Sequence, residues 1–158
     1  MRSRFAPWFA VLSMLWVGLV LGISFVATPA KFAAPTLDLP TALDVGRHTF
    51  AVSHVVQLIV AALLAVCVIG SSSRVKTALF VAIGVLLVQH VIMLPILSAR
   101  AGAIIGGATV EGSSVHLIYI VLEVAKLAAA ALAGVWALQA RDPRPDQRVA
   151  AGVELFGS

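Results

Sequence analysis

The stretch Ser114-Val115-His116-Leu117-Ile118-Tyr119-Ile120-Val121-Leu122-Glu123-Val124-Ala125-Lys126-Leu127 places an acid and a base inside an apolar run that continues to Leu138. At about 100° per residue, His116, Tyr119, Glu123 and Lys126 fall within an arc of roughly 80° on one helix face. Such charges cost about 3 kcal/mol each at the centre of a membrane-spanning helix. They are therefore expected to face a bundle interior, and Glu123 and Lys126 can pair at i, i+3. A stabilising ion pair is one reading of this stripe; a solute, proton or metal site is the other.

Three further apolar runs of similar length surround it. The chain has 158 residues, of which 61% are hydrophobic and 11% charged, and its mean hydropathy is +1.05. Runs at 6–28, 46–70, 76–98 and 114–139 each hold the roughly 20 apolar residues that span a bilayer core. The expected fold is all-α: an antiparallel, up-down four-helix bundle in the membrane. Residues 1–140 form its single domain and 141–158 a flexible cytoplasmic tail. Only short connections remain, which excludes a soluble catalytic module. No nucleophile stands beside a base in the pattern of a catalytic triad.

The basic residues point to orientation. Arg2, Arg4, Arg74, Lys76, Arg141, Arg144 and Arg148 fall on one side, and Lys31, Arg47 and Arg100 on the other. This asymmetry predicts both termini in the cytoplasm of a multi-pass cell-membrane protein, the inner membrane if the source is prokaryotic. The net charge of +4 is then a matter of topology, and no nucleic-acid partner is expected. The run after Arg4 exceeds the h-region of a signal peptide and reads as a retained helix. Cys67, the single cysteine, excludes an intrachain disulfide.

Along the chain, Gly18 and Gly22 form a GxxxG through which a second copy or a membrane partner could approach. The first helix is expected to end near Pro29, and Pro29, Pro35 and Pro40 argue against a long helix through 29–45. Thr41 with Asp44 resembles a capping box, starting a second helix over 41–70, with Asp44 free to pair with Arg47 or His48. In that helix His54 and Gln57 share a face continued by Ala61 and Ala65. The third helix carries Gln89, His90 and Met93 near its outer end, with a kink expected at Pro95. The glycine-rich stretch 100–113 lacks a phosphate-loop ending and reads as a mobile outer loop. Prolines and basic residues recur in the first and third helices, at Pro29/Lys31 and Pro95/Arg100, a pattern that duplication of a helical hairpin would give and that chance would also give.

His54 and His90 each lie about 12 Å inside the outer end of their helices, and Glu123 is at a similar depth. An antiparallel bundle brings them to one level, with Gln57, Met93, His116, Tyr119 and Lys126 nearby. The first reading is an outward-facing polar cavity that binds or moves a small solute or ion, with no cofactor. The second is a redox site in which His54, His90 and Glu123 hold copper, zinc or haem. Spacing disfavours it, because there is no His-x-x-x-His or Glu-x-x-His. The third is an assembly subunit whose polar residues join helices.

With these residues assembled, Trp16-x-Gly18, Phe25, Pro29-x-x-Phe32, Gly46, Phe50 and the helix opening at His116 resemble the transmembrane protein 205-like family. The resemblance covers the first two helices and, more loosely, the fourth. It implies a four-helix membrane protein and carries no biochemical activity with it. A fainter resemblance, through Trp-x-Gly and membrane histidines, runs to copper-resistance D-type and haem-binding membrane proteins, and implies the metal alternative.

Overall fold

The computed structural model describes residues 6–110 and 114–140. Four helices carry the chain, each long and apolar enough to cross a membrane: Pro7–Ala33, Leu39–Cys67, Ser73–Ile105 and Val115–Gln139. Their outward faces are aliphatic; Val26, Val52, Val66 and Ile69 are each more than three-fifths exposed. In water that surface would be untenable, whereas in a bilayer lipid covers it. The expected 141–158 tail lies outside the described residues.

The helices pack antiparallel. Between the first and fourth, Ser13 approaches Gly134 while Ser24, almost three turns on, reaches Glu123. Trp16 reaches Gln57 across the first–second interface, and Lys31 lies over Phe50 further along it. Pairing therefore runs in opposite chain directions, as short connections between successive spans require.

The prolines do not end the helices, which corrects two expected boundaries. The first helix continues through Pro29 to Ala33 and the third through Pro95 to Ile105. In each, a π-helical segment stands just ahead of the proline, Leu21–Ala27 in one and Gln89–Met93 in the other. Proline cannot donate to the ladder, and its ring crowds the carbonyl four residues back. Widening the preceding turn absorbs that crowding. The N–H of Thr28 bonds the carbonyl of Ile23, and that of Leu94 the carbonyl of Gln89. The hydroxyl of Thr28 donates a second bond to Ile23 O at 2.8 Å. Such insertions recur at functional sites.

The connections follow local chemistry. Ala34 is extended at ψ 117° because it precedes Pro35. Asp38, not Thr41, caps the second helix: its carboxylate accepts the Thr41 N–H at 2.8 Å, and Pro40 sits in the first turn, where no N–H is required. The hydrogen bonds from the side chain and backbone of Thr41 hold the Asp38 carboxyl below the usual carboxylate range. Asp44 pairs with Arg47 at 2.7 Å, and exposed His48 stands 3.6 Å from the same carboxylate. The stretch 100–105, expected as loop, is helix. It stops at Gly107, whose φ of +86° suits a residue without Cβ, and the bonds Ala108 N→Ala103 O and Gly107 N→Ile104 O, both 3.0 Å, close the end.

Candidate functional site

The two ends of the bundle interior differ in chemistry. Near the chain termini it is close-packed and largely apolar, with Phe9, Leu79, Ala82, Ala133 and Ala137 buried. Toward Pro29 and Pro95, polar side chains from all four helices meet around Glu123.

Glu123 is 1% exposed, and each carboxylate oxygen is engaged. Oε1 accepts from the Ser24 hydroxyl at 2.8 Å. Oε2 accepts from Gln89 Nε2 at 2.6 Å and from the Lys126 ammonium at 3.0 Å. Lys126 also donates to Gln57 Oε1 at 2.8 Å, which accepts from the Trp16 indole at 3.1 Å. Gln57 Nε2 in turn donates to Ser53 Oγ at 3.1 Å. An ionised carboxylate taken out of water costs several kcal/mol even after relaxation. Three donors, one of them cationic, offset that cost. Both π-segments contribute: Ser24 lies in one and Gln89 in the other. Each widened turn thus sits where a side chain is aimed at the same carboxylate.

A second group lies beside the first. His54 is fully buried, with Nε2 3.0 Å from the Tyr119 hydroxyl and its ring centroid 5.8 Å from that of His90. Tyr119 meets Phe50 edge-on with centroids 5.7 Å apart. Gln89 Nε2 reaches the Tyr119 carbonyl at 3.4 Å, joining the two groups. The buried atoms His54 Nδ1, His90 Nδ1, Gln89 Oε1 and Ser13 Oγ have no hydrogen-bond partner among the described residues.

A cleft reaches this network from the proline end. Its deeper part, about 290 Å³, is lined by Ser24, Thr28, Phe50, His116, Tyr119 and Glu123 among others. The shallower part, about 130 Å³, shares Thr28, Phe32, Phe50, His116 and Tyr119 with it and adds Lys31, Arg47 and the apolar side chains of Leu43, Leu94 and Leu97. Glu123 forms the floor, and the mouth is aromatic and cationic.

Of the residues expected at the site, His54, Gln57, Tyr119, Glu123 and Lys126 are buried and linked. His90 joins through its ring contact with His54. His116 is exposed and lines the cleft without entering the network. Met93 lies in the second π-segment and lines neither part of the cleft. For the alternative metal set of His54, His90 and Glu123, no group of three His, Cys, Asp or Glu side chains among the described residues is placed to hold a metal ion. Sequence reasoning missed Ser24, Trp16, Ser53 and Lys31, and left Gln89 without a role. Among the described residues Gly18 and Gly22 meet no other helix: a Cβ on either would have nothing within 4 Å.

Compared with family models, with curated proteins and with solved structures, the chain has no match.

Proposed function

We propose that this chain is a membrane protein that binds or moves a small solute or ion, taken up through the cleft from the outer side and held at its floor by Glu123. One observation carries the reading. Glu123 is almost wholly removed from the surface, yet it lines the deeper cleft with Ser24, Tyr119 and His116. Residues that only glue helices together need no such space beside them. A partly apolar cavity with a few converging polar groups is the usual form of a small-molecule site. Lys126 neutralises Glu123 from behind, so a ligand meets a polar, hydrogen-bonding floor rather than a bare charge. The distribution of arginine and lysine supports an outward-facing cleft mouth.

The test is ligand-induced stabilisation of the purified full chain. Short carboxylates, amines, neutral polyols and monovalent cations serve as four probe classes. At least one class is expected to raise the melting temperature saturably, with the effect lost in Glu123→Gln. No saturable shift by any class, or a shift indifferent to Glu123→Gln, overturns the reading.

A further inference from the structure

The shallower cleft holds a cation that the Glu123 network does not use. Lys31 sits on the helical turn added beyond Pro29, and its side chain crosses to the second helix at Gly46. A Cβ on Gly46 would collide with the Lys31 ammonium, which rests in the space that a side chain at 46 would take. The ammonium lies 5.0 Å from the Phe32 ring centroid and 5.9 Å from that of Phe50. No carboxylate of the described residues comes within ion-pair distance of it. The neighbouring cation of the cleft, Arg47, is already neutralised by Asp44 at 2.7 Å. The cavity that Lys31 lines is largely apolar, with Phe32, Phe50, Leu94 and Leu97 beside the polar Thr28, Ser98, His116 and Tyr119.

A half-buried cation facing a largely apolar cavity at the outer end of a membrane bundle has the character of a head-group site. We infer that the shallower cleft binds an amphipathic monoanion, with its anionic head on Lys31 and its chain along Phe32, Phe50, Leu94 and Leu97. This rests on the reading of the cleft as a ligand site and names the chemistry of its ligand. A single anionic head on an apolar chain is common to free medium-chain carboxylic acids and to anionic phospholipids. A medium-chain acid is longer than the shallower part, about 130 Å³, holds alone, and its chain runs on past Thr28 and Tyr119, which line both parts, into the deeper part of about 290 Å³.

The experiment uses the full chain in phosphatidylcholine nanodiscs, titrated with decanoate and, separately, with decan-1-ol. Decanoate is expected to bind saturably, about tenfold more tightly than the alcohol, as one strong polar contact provides. Lys31→Met removes that margin, Lys31→Arg retains most of it, and Gly46→Ala, which displaces the ammonium, lowers it while leaving the charge. Half-buried Lys31 and buried Gly46 both stand outside the Glu123 network, and an unchanged melting temperature confirms folding. Nanodiscs containing phosphatidylglycerol separate the sources: competition with decanoate assigns the head group to lipid, and its absence to the free acid. Equal affinity for acid and alcohol, or equal decanoate binding in wild type and Lys31→Met, overturns the inference. If some other solute still binds in a Glu123-dependent way, the cleft reading stands and only the anionic ligand falls. If nothing binds saturably, both fall.

Discussion

The terminal half of the bundle and the proline half solve the same packing problem in opposite ways. At the terminal end the first and fourth helices approach through small residues. A Cβ on Gly134 would stand 2.7 Å from Met14 Cε and 3.1 Å from Ser13 Cβ. That contact is steric and leaves no room. At the proline end the same two helices meet through Ser24 and Glu123, with a cleft beside them and π-turns on two of the four helices. Without a hydrophobic force between helices in lipid, association relies on close packing and on polar contacts. The terminal half relies on the first and the proline half on the second. The polar half keeps a cleft at its buried charges, whereas the hollow along Ser73, Thr77, Ala129 and Trp136 in the terminal half is an open groove on the bundle surface.

The largest effect should come from breaking the charge balance of the proline half. Removing one partner of a buried ion pair costs about 3–5 kcal/mol, because the other is left uncompensated. Lys126→Met should therefore destabilise the purified protein strongly, and Glu123→Gln with Lys126→Met together should destabilise it less than Lys126→Met alone. A double variant as damaged as the sum of the two single changes would mean that the residues do not act as a pair.

A middling effect is expected in the terminal half. Gly134→Val inserts bulk into a closed contact, for which overpacking costs about 1–3 kcal/mol. The melting temperature should fall while the Glu123-dependent binding survives at permissive temperature. Loss of binding without loss of stability would mean that the two halves are not separate.

The smallest effect belongs to the rim, at the start of the second helix. The Asp38 carboxyl is held below its ordinary range by Thr41, so its cap contributes above the unfolded value of about 4 and is lost as pH falls through the lower folded value. The difference in melting temperature between wild type and Asp38→Ala should be full at neutral pH and vanish in acid. A difference that persists in acid would assign the effect to something other than the ionised cap.

Much of this was legible in the sequence because polar residues are conspicuous inside apolar helices. The four spans, the Glu123–Lys126 pair, the Asp44–Arg47 pair and the shared face of His54 and Gln57 all followed from length and periodicity. Part of what escaped has one physical cause. A π-turn adds a residue to a helical turn and rotates everything beyond it, so a face drawn at a uniform angle per residue misplaces side chains there. Ser24 and Gln89 lie within those segments, and so does Met93, which was expected at the site and lines neither part of the cleft. The same widened turns let the helices pass through Pro29 and Pro95, where sequence rules place an end or a kink. Lys31 looked like a flanking charge. Its seat at Gly46 depends on a contact between two helices that no local pattern encodes.

The division into a dry half and a cleft-bearing half is tested most directly by thiol accessibility in intact membranes. With Cys67→Ala as background, single cysteines are placed at Thr28, on the cleft wall, and at Ser13, buried against Gly134. A membrane-impermeant thiol reagent added to the outer side is predicted to label Thr28→Cys and to leave Ser13→Cys unmodified from either side. Labelling of Ser13→Cys at a comparable rate, or of Thr28→Cys from the cytoplasmic side alone, would contradict the account.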